Sequence, residues 1–327
     1  MSKKKFLIIL SMMILLISAV TIASDLIIES KTQTYSEQDS LIKFLGDVKV
    51  RYKDITIVGD TADVSVTKDN KLDTATFYEK PYAFQVQNNK KKEVKANIMR
   101  FSLLNKVIKA EGDTQTIVTE GKTPIAIINA DAQEYDTTTN VMTALGTVTI
   151  KYRDMDAFSD KAVVKTSKNG EVQRIDLIGN AKINQTKHHA AADHFIYTAS
   201  KEEIIAIGNT TSSTVTENGS TFKIKANRQQ YDKKSNIFSG NGNVQVYYQD
   251  YYAKSPKMVC YPDKVTKKIN EVYMHGRSMI RQNEKEIHAD KIKILIEPKN
   301  FEAIGNVRTI FKNIDSNQNK DKNGGLL

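Results

Sequence analysis

The chain has 327 residues, 40% of them hydrophobic, with 48 Lys and Arg against 38 Asp and Glu, a formal net charge of +10, no Trp and a single Cys. This apolar content can bury a core and excludes a disordered chain, and one Cys excludes an intrachain disulfide framework. The basic excess is spread in short runs such as "NNKKKEVK" (88–95) and "KVTKK" (264–268). Such runs are ordinarily solvated turns. Read functionally, they attract acidic partners such as phosphorylated lipids or an anionic membrane surface, and with no recognition-helix pattern nucleic acid is not among the expected partners.

The first predicted element is "MSKKKFLIILSMMILLISAVTIASD": three lysines, then an apolar or small run from Phe6 to Ala23. This is the build of a secretory signal, with a small-residue cleavage site at Thr21-Ile22-Ala23. Its length also suits a retained membrane anchor. Residues 1–23 are therefore expected to be a signal peptide or anchor, and the rest to be exported. Cys260 lies far from Ser24, against a lipoprotein anchor. Residues 24–312 read as one repetitive domain, and the polar residues 313–327 as a disordered tail.

The repetition is visible in three phrases: "GDVKVRYKD" (46–54), "GTVTIKYRD" (146–154) and "GNVQVYYQD" (242–250). They belong to a finer series of glycines, Gly46, Gly112, Gly146, Gly179, Gly208, Gly242, Gly276 and Gly305, spaced by about 33 residues or twice that, with Glu79 on the vacant rung. Each glycine opens an alternating run of Val, Ile, Thr and Tyr, the pattern of a half-buried strand. Ala-Asp or Ala-Asn recurs at Ala96-Asn97, Ala130-Asp131, Ala192-Asp193, Ala226-Asn227 and Ala289-Asp290, its second residue always 15 positions before a glycine. Every third unit departs from that marker. "KDNK", "DTTTN", "SKNG" and "DKKSN" supply turns, and no amphipathic helix follows residue 24. A fixed period implies stacked units. At about three short strands per unit, eight or nine units predict about 25 strands in two facing sheets, a body about 60 Å long. The marker Asp or Asn is expected to cap a turn or strand end.

"ADAQEYDTTTNVMTALGTVTI" (130–150) and "ADHFIYTASKEEIIAIGN" (192–209) resemble the repeat of the OstA-like, or LptA, family of organic-solvent-tolerance proteins. The resemblance covers roughly residues 41–311 and is carried by iterated spacing, not by one decisive motif. It implies an all-β, elongated, taco-like β-jellyroll and a periplasmic lipid-binding bridge that moves lipopolysaccharide from inner to outer membrane. The implied partners are lipopolysaccharide or another long-chain amphiphile, inner- and outer-membrane transport components, and further copies of the chain joined end to end. The chain is longer than a single short bridge subunit of that family. A long bridge, an inner-membrane component with a retained anchor, and the N-terminal domain type of the outer-membrane translocon remain open, the last disfavoured by the lack of a downstream barrel pattern.

The candidate groove residues follow from parity within the strands: Val48, Val50, Tyr52, Val148, Ile150, Tyr152, Ile183, Val244, Val246, Tyr248 and Val307. Any one of them equally serves as plain core filling. His188, His189 and His194 invite a metal reading, but their spacing fits a strand or turn poorly and no Cys or carboxylate set supports it, so no metal or cofactor is expected. No nucleophile constellation, phosphate loop or His-Glu-x-x-His occurs, and the chain is not expected to be an enzyme. The rival reading is a structural or adhesive extracytoplasmic β-solenoid that binds polysaccharide or itself. The Lys, Arg, Thr and Gln at outward positions speak against it.

Overall fold

The computed structural model describes residues 26–312 apart from 88, 217–218 and 297–299. The expected signal or anchor (1–23) and the expected tail (313–327) lie outside the described residues. Among the described residues all regular structure is β, arranged as one 22-stranded antiparallel sheet. β1 (Leu26–Glu29) and β2 (Thr32–Ser36) are halves of one bent segment, followed by β3 (Leu41–Tyr52) and β4 (Ile55–Val66). β5 (Leu72–Tyr78) with β6 (Tyr82–Gln87), and β7 (Lys90–Lys95) with β8 (Ile98–Ser102), are again halves of bent segments. A plain meander follows: β9 (Val107–Glu120), β10 (Thr123–Asp136), β11 (Val141–Tyr152), β12 (Met155–Thr166), β13 (Val172–Gln185), β14 (His188–Thr198), β15 (Glu203–Val215), β16 (Thr221–Asp232), β17 (Ile237–Tyr248), β18 (Tyr251–Pro262), β19 (Ile269–Gln282) and β20 (Lys285–Leu295). β21 (Asn300–Ile304) and β22 (Arg308–Phe311) both pair with β20 and close the series.

With the four broken segments counted once, the 22 strands make eighteen long ones, two to each 33-residue unit. The expected three short strands per unit is thus corrected. The glycine does not end a strand: it bulges it, and the ladder resumes beyond, as between Leu145 and Val148 opposite Lys161 and Ser159. A bulge of this kind bends the strand and sharpens its twist. Because the bulges fall at the same level in every second strand, the whole sheet is creased along one line into two walls. Wall 1 carries β2, β5, β8 and β21, and wall 2 carries β1, β6, β7 and β22. Every other long strand runs through both walls. The stack is then eighteen strands deep, roughly 80 Å, longer than the expected 60 Å. It remains the all-β, taco-like architecture, made from one folded sheet instead of two.

The crease explains both sequence markers. The glycines sit at left-handed φ, and so does the residue after each, for example Gly242 (φ +74°) and Asn243 (φ +47°). The marker Asp or Asn lies mid-strand beside the glycine of the next strand, in the room a Cβ would need. There it also accepts from the residue that follows the glycine: Asn209 Nδ2 donates to Asp193 Oδ2 at 3.0 Å, and Asn306 Nδ2 to Asp290 Oδ2 at 2.8 Å. It is a crease residue, not the turn or strand-end cap expected. Lys31 takes the marker's place before Gly46, with its ammonium 2.7 Å from Asp47. The marker's alanines, Ala96, Ala130, Ala192, Ala226 and Ala289, are all buried where the walls converge. Only a small side chain fits there.

Six long strands make one period, and the eighteen strands make three whole periods: β1–β9, β10–β15 and β16–β22. Each period has its own apolar cluster, from Phe44 to Ala110, from Ile128 to Ala206, and from Ile224 to Ile292. Among the described residues no helix is long and apolar enough to cross a membrane.

Candidate functional site

Among the described residues the walls are joined by backbone hydrogen bonds only at the crease. Opposite it, at the mouth, only side chains meet. Val148, Ile150 and Tyr152 climb β11 from crease to mouth, and their exposure climbs with them: 1%, half-buried, 40%. Val244 is buried at the crease, and Val246 and Tyr248 above it on β17 are half-buried. Ile183 on β13 is half-buried against the second cluster. In the second and third periods the apolar interior is therefore a V-shaped groove, narrow at the crease and open at the mouth.

In the first period side chains close the mouth. Val48, Val50 and Tyr52 are all buried. Tyr52 on wall 2 meets Phe101 on wall 1 with ring centroids 5.4 Å apart, and Lys106 lies over the Tyr52 ring at 5.0 Å. Beside them Lys92 Nζ on wall 2 lies 4.2 Å from the Tyr135 ring centroid on wall 1. Lys92, Tyr135, Gln85, Gln133 and Met142 are among the residues lining a cavity of about 40 Å³. Burial holds the Lys92 ammonium down to about 8, and the Tyr135 hydroxyl is raised above its usual value, chiefly by burial and then by Asp54.

Val307 departs from the other candidates. It lies between β21 and β22 at the open C-terminal edge, 53% exposed, in the place that Thr114 and Thr210 hold in the earlier periods. Those two threonines belong to a feature the sequence reading missed. At the joint between periods one and two, Thr116 on wall 2 donates to Gln133 Oε1 on wall 1, and Thr114 Oγ1 donates to the Ala130 carbonyl at 2.7 Å. At the next joint Ser212 Oγ donates to Gln229 Oε1 at 2.7 Å, and Thr210 Oγ1 to the Ala226 carbonyl at 2.7 Å. The apolar stripe is thus interrupted twice by a buried polar tie between walls. Period-two alternation cannot reveal this, because Thr and Val suit a strand equally.

The final Asp of each opening phrase also has a role that spacing alone did not show. Gln85 Nε2 donates to Asp54 at 2.8 Å, Gln185 to Asp154 at 2.7 Å, and Gln282 to Asp250 at 3.0 Å. His194 pairs with Asp176 at 2.8 Å, which Arg174 also grips at 2.6 and 2.7 Å, and His189 meets Asn184. Burial works to raise the Asp176 carboxyl, but its Arg174 and His194 partners outweigh it and hold it below the usual range. Among the described residues no three or more His, Cys, Asp or Glu converge as metal ligands. Cys260 is buried in the third cluster, its thiol pushed up to about 12 by burial, the state of an inert core cysteine.

A single creased sheet with a lengthwise apolar groove defines the class: an all-β repeat jellyroll. More narrowly, the chain belongs to the family of LptA/(LptD N-terminal domain) LPS transport proteins, whose sequence model matches residues 27–123 and 127–223. Each match spans one six-strand period. Among solved structures, the chain is similar to LptH from Pseudomonas aeruginosa, described as the LptA homologous periplasmic component of the conserved lipopolysaccharide transport device. The identity is 14% and the TM-score 0.33, over 37% of this chain and 82% of that one. No curated protein matches the chain.

Proposed function

We propose that the protein is a periplasmic, non-catalytic lipid-binding bridge that carries lipopolysaccharide or a related amphiphile from the inner toward the outer membrane. Its partners on this reading are the transport components of the two membranes and further copies of itself. The observation that carries the reading is the exposure gradient from Val148 through Ile150 to Tyr152. A sealed solenoid would bury the whole inward row. Here acyl chains can lie over Ile150 and Val246, each buried methylene contributing about 0.8 kcal/mol. Parting the walls at the mouth breaks side-chain contacts and no ladder hydrogen bond, so tails can enter from the side. A groove that repeats along its length holds no single deep site, which suits transfer better than storage.

The test is a photo-crosslinking residue placed at inward Ile150 and at outward Lys151 on the same strand. A long-chain amphiphile should label from position 150 and not from 151. Ile150→Asp should abolish labelling from a probe at Ile183, two strands away on the same face, while the circular dichroism of the sheet persists. Equal labelling from 150 and 151 sinks the groove.

A further inference from the structure

At the inner lip of wall 2, one basic side chain recurs once per period: Lys92 on β7, His188 on β14 and Lys285 on β20. Each lies four residues before a marker alanine, Ala96, Ala192 and Ala289. Because four is even, it shares that alanine's inward face. Each is also the direct ladder partner of a glutamine, Gln85, Gln185 and Gln282. These are the same three glutamines whose amides donate to Asp54, Asp154 and Asp250. The chain therefore writes one constellation, Asp, Gln and a base, three times at the same level of the groove.

Tertiary contacts place two of the three bases, Lys92 and Lys285, against aromatic rings. Lys92 Nζ lies 4.2 Å from the Tyr135 ring centroid on the facing wall. Lys285 Nζ lies 5.9 Å from Phe301 on the facing wall and 5.7 Å from Phe311. Both cations thus rest on aromatic faces at the mouth. No carboxylate lies within ion-pair distance of either among the pairs of the described residues. The nearby aspartates point to the glutamine amides at the hairpin turns. A cation held over an aromatic ring keeps its capacity for a stronger, charged acceptor.

We propose that Lys92, His188 and Lys285, at equivalent positions of the three periods, are stations for the phosphate of an amphiphile headgroup, spaced one period apart along the groove. The inference rests on the lipid-groove reading and adds to it: tails run in the apolar floor while the phosphate steps along the lip from base to base. Six strands separate successive stations, roughly 29 Å. Burial of the Lys92 ammonium supports the assignment, since a desolvated cation gains more from an incoming anion than a hydrated one.

The test compares dodecyl phosphate, dodecyl maltoside and inorganic phosphate by titration calorimetry on the purified protein and on the triple variant Lys92→Met, His188→Gln, Lys285→Met. The variant should bind dodecyl phosphate at least tenfold more weakly and dodecyl maltoside within twofold of wild type. Inorganic phosphate alone should bind far more weakly than dodecyl phosphate to both. Lys92→Arg, which keeps the charge, should behave as wild type, and thermal melting of each variant confirms the fold. Unchanged dodecyl phosphate affinity in the triple variant overturns the stations and leaves the groove standing, as does equal loss of both amphiphiles in a variant that melts as wild type. Inorganic phosphate binding as tightly as dodecyl phosphate overturns the headgroup assignment. Failure of both amphiphiles to bind the wild type overturns the groove, and the stations with it.

Discussion

Gly242 shows what the crease demands of a single residue. Its φ is +74°, and a Cβ there would lie 2.7 Å from Asn227 Nδ2. Left-handed backbone costs a residue with a Cβ roughly 1–2 kcal/mol, and Asn227 must also move. Gly242→Ala is expected to lower stability by about 2 kcal/mol, read as a shift of the urea midpoint at constant slope. Adding Asn227→Ala should return the steric part and leave the backbone part. If Gly242→Ala is neutral, the crease does not depend on the glycine. This glycine was legible in the sequence as a place of bend and positive φ. Its partner was legible only as a spacing of 15. Nothing in one strand says that Asn227 of β16 lies beside Gly242 of β17; that takes the ladder. The same ladder shows why Lys31, unlike the other markers in chemistry, belongs to the series: the space beside Gly46 is what matters, and the stem of a lysine fills it too.

At the scale of strands, the wall ties decide how the groove is divided. Thr116, Gln133, Ser212 and Gln229 lie at the two joints between apolar clusters, and each hydrogen bond runs from wall to wall. Removing one partner leaves a buried amide oxygen unpaired, which costs about 1–3 kcal/mol, whereas replacing both by apolar groups of similar shape is nearly neutral. Thr116→Val is therefore expected to destabilise by that amount, and Thr116→Val with Gln133→Met to recover most of it. Chemical denaturation of the four species gives the coupling, expected at about 1 kcal/mol or more. Additive effects would mean that the tie is not formed. Strand identity and the inward parity of Val48, Ile150 and Val246 were legible from alternation. The number of strands was not, because a bulged strand of 12 residues and two strands of five or six have the same local pattern. Which inward residues are groove and which are core was also beyond alternation: Tyr52 and Tyr152 occupy the same place in their phrases, and Phe101 across the mouth, with Lys106 over the ring, covers the first.

At the scale of the molecule, the described strands comprise three whole periods, so the two edges of the described sheet are consecutive members of the repeat. β21 and β22 stand where β9 and β15 stand, and β1 and β2 stand where β10 and β16 stand. Among the described residues β1 and β2 pair only with β3, and β21 and β22 only with β20. Open edges of this kind recruit another strand. Inside the chain the joint has a fixed register: Gln133 faces Ala110 and Ile128 faces Thr116, and Gln229 faces Ala206 and Ile224 faces Ser212. Carried to the edges by the repeat, that register sets Gln33 of one copy opposite Ala303 of the next, and Ile28 opposite Thr309. Gln33 and Thr309 would then supply the two halves of a third wall tie, so the joint between copies would repeat the joints within them. A slip of one residue would turn every inward side chain outward. In a Cys260→Ser background, Ile28→Cys with Thr309→Cys should therefore oxidise to a ladder of disulfide-linked multimers on a non-reducing gel, while Ile28→Cys with Arg308→Cys should not. A head-to-tail joint does not close, so the ladder should extend beyond the dimer. Linkage that stops at the dimer points to a two-fold contact instead, and equal linkage from positions 308 and 309 removes the register expected between copies.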